Sequence, residues 1–191
     1  MQRALLVAVI LLAGCTIGSG DDATIQRNEL SRTVLQPQDL ARVFSRFDEG
    51  RQLIADALSG RRSDPVRFGR IEGWKARYRR ADTTSTPGPL VIDSRSDLFE
   101  SSSGAKDDFR AARDDLRDSE LGWQPIAEPG LGDESFAATF VDGRARYYQV
   151  FWREDNATAT LNVNGFEGKL ALADVLALAR KQQRHIALVA G

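Results

Sequence analysis

Cysteine and histidine are scarce in this chain, and each scarcity removes a class of chemistry. The single cysteine, Cys15, excludes an intrachain disulfide. With that one cysteine near the N-terminus there is no Cys/His pair for nucleophilic catalysis. A Ser/His/Asp arrangement would have to use the only histidine, His185, close to the other end. No Gly-x-Ser-x-Gly elbow, phosphate loop or dinucleotide fingerprint occurs, and no Asp-x-Asp-x-Asp-Gly calcium loop. No metal and no cofactor is expected. Charge of one sign is also lacking: 26 basic and 27 acidic residues nearly cancel, so no strong field would draw in nucleic acid. No apolar run reaches the roughly 20 residues a membrane-spanning helix needs. What is present is a globular composition, 42% hydrophobic and 28% charged, over 191 residues. That length suits one core.

The longest apolar stretch, Ala4 to Leu12, follows the positive Arg3 and precedes the small residues Ala13 and Gly14. This is the layout of a signal peptide. The tetrapeptide Leu12-Ala13-Gly14-Cys15 resembles the lipobox of bacterial lipoproteins. The resemblance implies cleavage before Cys15, a diacylglyceryl group on its thiol and membrane attachment through acyl chains. Two or three such chains, at ~0.8 kcal/mol per buried methylene, hold a protein where one does not. Residues 1–14 are then a signal peptide, 15–33 a lipidated cysteine with a flexible polar tether, and 34–191 a single domain. The expected location is extracytoplasmic, at a membrane whose identity stays open.

Periodicity after the tether predicts an α+β domain: an antiparallel sheet of about five strands with two to three helices. Pro37 followed by Leu40, Val43, Phe44 and Phe47 reads as a helix, resumed by Leu53 to Leu58. Val66–Arg80 and Leu90–Leu98 alternate as a strand pair. The serines 101–103 cap a helix with the stripe Ala105, Phe109, Ala112 and Leu116. Phe136–Val141, Arg144–Arg153 and Ala157–Val163 are three further strands. Asp142-Gly143 signals a tight hairpin between the first two. A helix from Leu170 to Ile186 closes the domain.

Two groups of residues are candidate binding sites. Tyr147, Gln149 and Phe151 share a strand face, which with Thr158, Thr160 and Asn162 makes an aromatic, hydroxyl-rich surface suited to a small amphipathic ligand, a sugar or a peptide. The opposing reading is a central strand covered by helices. Lys75, Arg77 and Arg79 share a face and would bind an anion, unless Asp93, Arg95 and Asp97 opposite them form cross-strand pairs. The aspartates of residues 107–118 lie beside Arg110 and Arg117 and read as a solvated helix face. His185 falls on the polar face of the last helix, directed to solvent.

Leu131-Gly132-Asp133-Glu134, Val150-Phe151-Trp152-Arg153 and Leu176 to Gln182 together resemble small envelope lipoproteins and sensor-type domains of high-GC bacteria. Some of these resemble a PsbP/Mog1-like α+β sandwich. The resemblance implies a noncatalytic envelope domain and carries no site residues. Three functions stay open: a ligand- or protein-binding module anchored at the membrane, with an envelope protein or small amphipathic molecule as partner; a carboxylate-dependent envelope hydrolase; and a structural or assembly lipoprotein. Two carboxylates converging at roughly 5–10 Å in a cleft would favour the hydrolase. A helix over Tyr147 and Phe151 would weaken the binding surface. Oligomeric state is not legible.

Overall fold

The computed structural model describes residues 25–53, 64–81 and 85–190. The signal peptide, Cys15, the first part of the tether and the stripe after Leu53 lie outside the described residues. The domain is α+β. It is built on one seven-stranded sheet in the order β1-β2-β3-β7-β6-β5-β4, antiparallel throughout. The strands are β1 (Ser45–Arg51), β2 (Arg70–Arg79), β3 (Val91–Phe99), β4 (Gln124–Ile126), β5 (Glu134–Asp142), β6 (Ala145–Glu154) and β7 (Ala157–Phe166). Two α-helices, α1 (Ser102–Arg117) and α2 (Leu172–Ala190), lie on its opposite faces.

The main core lies between the sheet and α2. Tyr78, Ile92, Val150, Trp152, Leu161 and Val163 point from the strands towards Val175, Ala179 and Ile186 of the helix, all at most 1% exposed. This face is the alternation read from the sequence, since successive strand residues turn to opposite sides. α1 packs on the other face. Ser101 accepts a hydrogen bond from the Gly104 amide at 3.1 Å, capping the helix. Phe109 then stacks on Phe151 at 5.4 Å between ring centroids.

Four expectations need correction. The sheet has seven strands and not about five. The helix expected from Pro37 is a single 3-10 turn (Pro37–Asp39) followed by the edge strand β1. Phe47 sits where the β1–β2 register shifts between Arg46 and Asp48, so its helical spacing from Val43 and Phe44 was incidental. Pairing with β2 overrides that pattern. The second missed strand, β4, has three residues and contains Pro125, which is tolerated at a sheet edge.

Ile25 to Thr33, expected to lie in a flexible tether, belongs to the fold. Ile25 and Leu30 are each 1% exposed, and Arg27–Arg32 forms a 3-10 turn. Side chains fasten this segment. Asn156 accepts from the Ile25 amide at 3.1 Å and donates to the Ile25 carbonyl at 3.3 Å. Tyr78 donates its hydroxyl proton to the Leu35 carbonyl at 2.7 Å, and burial pushes its pKa up to about 12.

Polar residues assigned to solvent are also partly inside. Asp108 is fully buried, and the Thr158 hydroxyl lies 3.3 Å from its carboxylate. The His185 ring nitrogen Nε2 is 2.8 Å from Asp39 Oδ2, and Lys181 donates to the Asp39 carbonyl, so this face of α2 holds the 3-10 turn rather than water.

Candidate functional site

Two tight turns set the register of the site. The β5–β6 hairpin turns through Gly143, whose φ of 57° is easy for glycine, and places Phe140 opposite Tyr147. The β6–β7 hairpin turns through Asp155, with a φ of 53°, and places Tyr147 opposite Asn164 and Gln149 opposite Asn162. β7 in turn sets Asn162 opposite Asp93 of β3, and β2 sets Arg77 opposite Asp93. One polar row, Arg77–Asp93–Asn162–Gln149, therefore crosses four adjacent strands on the face that carries α1.

α1 occupies one end of that face. Phe151 is consumed by its stack on Phe109, and Thr158 by Asp108. Thr160, opposite Phe151, is 6% exposed. Of the six residues expected to form one ligand surface, these three are packed inside. Tyr147 and Gln149, at the other end, line a cavity of about 340 Å³. Its floor is the polar row with Asn164, and its wall is aromatic, from Trp123, Phe140 and Tyr147. Phe140 and Tyr147 stack at 4.6 Å and 9°, and Trp123 meets Phe140 edge-on at 4.4 Å.

The expected anion stripe is split. Lys75 lies opposite Arg95, a like-charge pair relieved from either side: Lys75 Nζ is 3.1 Å from Asp48, and Arg95 grips Asp93 with two hydrogen bonds of 2.8 and 2.6 Å. Arg77 lies 3.6 Å from both Asp48 and Asp93, beyond hydrogen-bond length. Arg79 is exposed at the edge, its guanidinium over Phe47 at 5.2 Å. Only Arg77 of the three lines the cavity.

Trp123, Phe140, Asn164, Asp93 and Arg95 complete the site, and sequence reading did not collect them. They come from three strands and a loop, and meet only through register. The signal was nevertheless present, since the two turns fix the Phe140–Tyr147–Asn164 and Gln149–Asn162 pairings. Gly132 has a packing role. Its φ is 53°, and a β-carbon there would lie 2.2 Å from the Arg153 carbonyl oxygen.

Asp93 is the one carboxylate among the cavity's described lining, and Arg95 holds it. A two-carboxylate hydrolase would need a second there. Among the described residues, no three His, Cys, Asp or Glu side chains group as a metal site, and no helix is long and apolar enough to cross a membrane.

No family model matches the chain, and no curated protein matches it in sequence. A solved structure shares the fold. It is the extracellular domain of PknH from Mycobacterium tuberculosis, similar with a TM-score of 0.63 over 88% of this chain and 98% of that one. Identity is 9%, so the likeness establishes the architecture alone.

Proposed function

We propose that this chain is a noncatalytic ligand-binding module of the bacterial envelope, held at a membrane by acyl chains on Cys15. Three lines support the reading. The residues Leu12-Ala13-Gly14-Cys15 have the order of a lipobox, and the fold is similar to that of an extracellular domain. The third is the cavity, whose size falls within the range of about 300–1,000 Å³ usual for small-molecule sites.

The observation that carries the ligand-binding part is the polar floor under an aromatic wall. The side-chain nitrogen of Asn162 and the indole nitrogen of Trp123, both lining residues, are buried and have no hydrogen-bond partner. A polar group left in that state costs roughly 1–3 kcal/mol. Repacking around a bound molecule would recover part of that cost.

Native mass spectrometry on the full-length protein, incubated with a lipid-free envelope extract, tests this reading. A small molecule should be retained by the wild type and lost from Asn162→Leu with its fold intact. Equal retention by both would move the site elsewhere, and no retention would remove the binding role. For the anchor, Cys15→Ala should leave the membrane fraction. Unchanged fractionation, with no lipid mass on the wild type, would contradict attachment through that residue.

A further inference from the structure

The pairing of Arg77 and the aromatic geometry of the cavity narrow the ligand's chemistry. Lys75, Arg77 and Arg95 lie within ion-pair distance of Asp48 or Asp93. The tight pairs are Lys75–Asp48 and Arg95–Asp93. Arg77 is left at 3.6 Å from each carboxylate, with its Nε buried and without a hydrogen-bond partner. Arg77 is therefore the loosely paired cation of the three, its guanidinium over the Phe47 ring at 5.0 Å, and it sits at the β2 end of the polar row. A guanidinium in that position suits a carboxylate, which it can grip with two parallel hydrogen bonds.

The other end of the row is built for a ring. Phe140 and Tyr147 stand on neighbouring strands, and their centroid separation of 4.6 Å matches the strand spacing, ~4.8 Å, so both rings rise upright from the sheet. Phe140, on β5, takes one face of the Tyr147 ring. The other face turns towards β7, above Asn164, and forms the cavity wall. Between the two ends lie the amides of Asn162 and Gln149, each offering donors and an acceptor. A sugar hydroxyl is likewise both donor and acceptor. The C–H face of a pyranose is apolar and suits an aromatic ring. From Tyr147 to Arg77 the row covers three strand spacings, about 14 Å, more than one sugar ring spans.

We propose that the cavity takes an acidic saccharide of about two rings. One ring stacks on Tyr147, the sugar hydroxyls meet Gln149, Asn162 and Asn164, and the carboxylate on the other ring is held by Arg77. This rests on the ligand-binding reading and specifies its chemistry.

Isothermal titration of the full-length protein compares three probes: cellobiouronic acid, neutral cellobiose and benzoate, an anion with a ring but no hydroxyls. The uronate should bind about tenfold tighter than cellobiose, as expected for one added charged hydrogen-bonded contact. Arg77→Met should abolish that preference, and Arg77→Lys should keep much of it. Tyr147→Ala should weaken both sugars. Thermal melts confirm that each variant is folded. Equal binding of the two sugars would overturn the anionic part. Benzoate binding as well as the uronate would overturn the saccharide. Binding of none of the three would overturn the inference, while a non-saccharide ligand captured from the extract would leave the ligand-binding module standing.

Discussion

Asn156→Ala is expected to destabilise the domain by about 3 kcal/mol, estimated from three lost hydrogen bonds near 1 kcal/mol each. Asn156 is fully buried in the turn between β6 and β7. Its amide serves as a short piece of strand. It accepts from the Ile25 amide and donates to the Ile25 and Phe99 carbonyls. Alanine leaves those backbone groups buried without partners, and each becomes a cost of its own. The loss should be local first: Ile25 to Thr33 should detach and become protease-sensitive before the sheet unfolds. Urea unfolding gives the total and limited proteolysis gives the place. Asn156→Asp is the sharper control, because a carboxylate can accept from Ile25 but cannot donate to the two carbonyls. A change below about 0.5 kcal/mol, within the range of neutral surface substitutions, would contradict the clamp.

The second large effect is expected at Gln182, which is fully buried in the middle of α2. Its Nε2 donates to the Arg95 carbonyl at 2.8 Å, and its Oε1 accepts from the Ser94 hydroxyl at 2.8 Å. Ser94 Oγ in turn accepts from the Leu35 amide at 2.9 Å. Helix, central strand and N-terminal segment are thus joined by one polar relay inside an apolar core. Gln182→Met preserves the shape and removes both bonds, leaving a hydroxyl and a carbonyl unsatisfied. The expected cost is about 2–4 kcal/mol, from ~1–3 kcal/mol for each group left unpaired and allowing for relaxation. Ser94→Ala should add much less to Gln182→Met than it costs alone, because the two share a bond. Full additivity in a double-mutant cycle would show that they act separately.

Both residues illustrate what the sequence conceals. The helix stripe Ala105, Phe109, Leu116 and the alternation of β6 and β7 were legible because apolar period alone decides those elements. Asp108 reads as part of a solvated helix face, and no local pattern marks Gln182 or Asn156 as inner, yet each is inside because a partner distant in sequence satisfies it. Local pattern carries no record of that partner. Phe47 shows the converse error. It lies at a helical spacing by chance, and cross-strand pairing with β2 decides its conformation. The candidate site was half legible. Tyr147, Gln149 and Arg77 were named from strand faces, and the two hairpin turns encode which residues stand opposite the first two. The position of α1 was not encoded locally, so Phe151, Thr158 and Thr160 could not be separated from Tyr147 and Gln149.

The same separation underlies the proposed function. Covered by α1 at one end, the sheet face keeps at the other an amide floor, an aromatic wall and one loosely paired guanidinium. The most direct test of that account is where a ligand captured from the envelope extract moves side-chain resonances in the 15N-labelled protein. The indole signal of Trp123 and the side-chain amides of Gln149, Asn162 and Asn164 should shift, while those of Gln182 and Trp152 in the core stay fixed. Shifts confined to the opposite side, at Gln36 and Gln183, would contradict the proposed site.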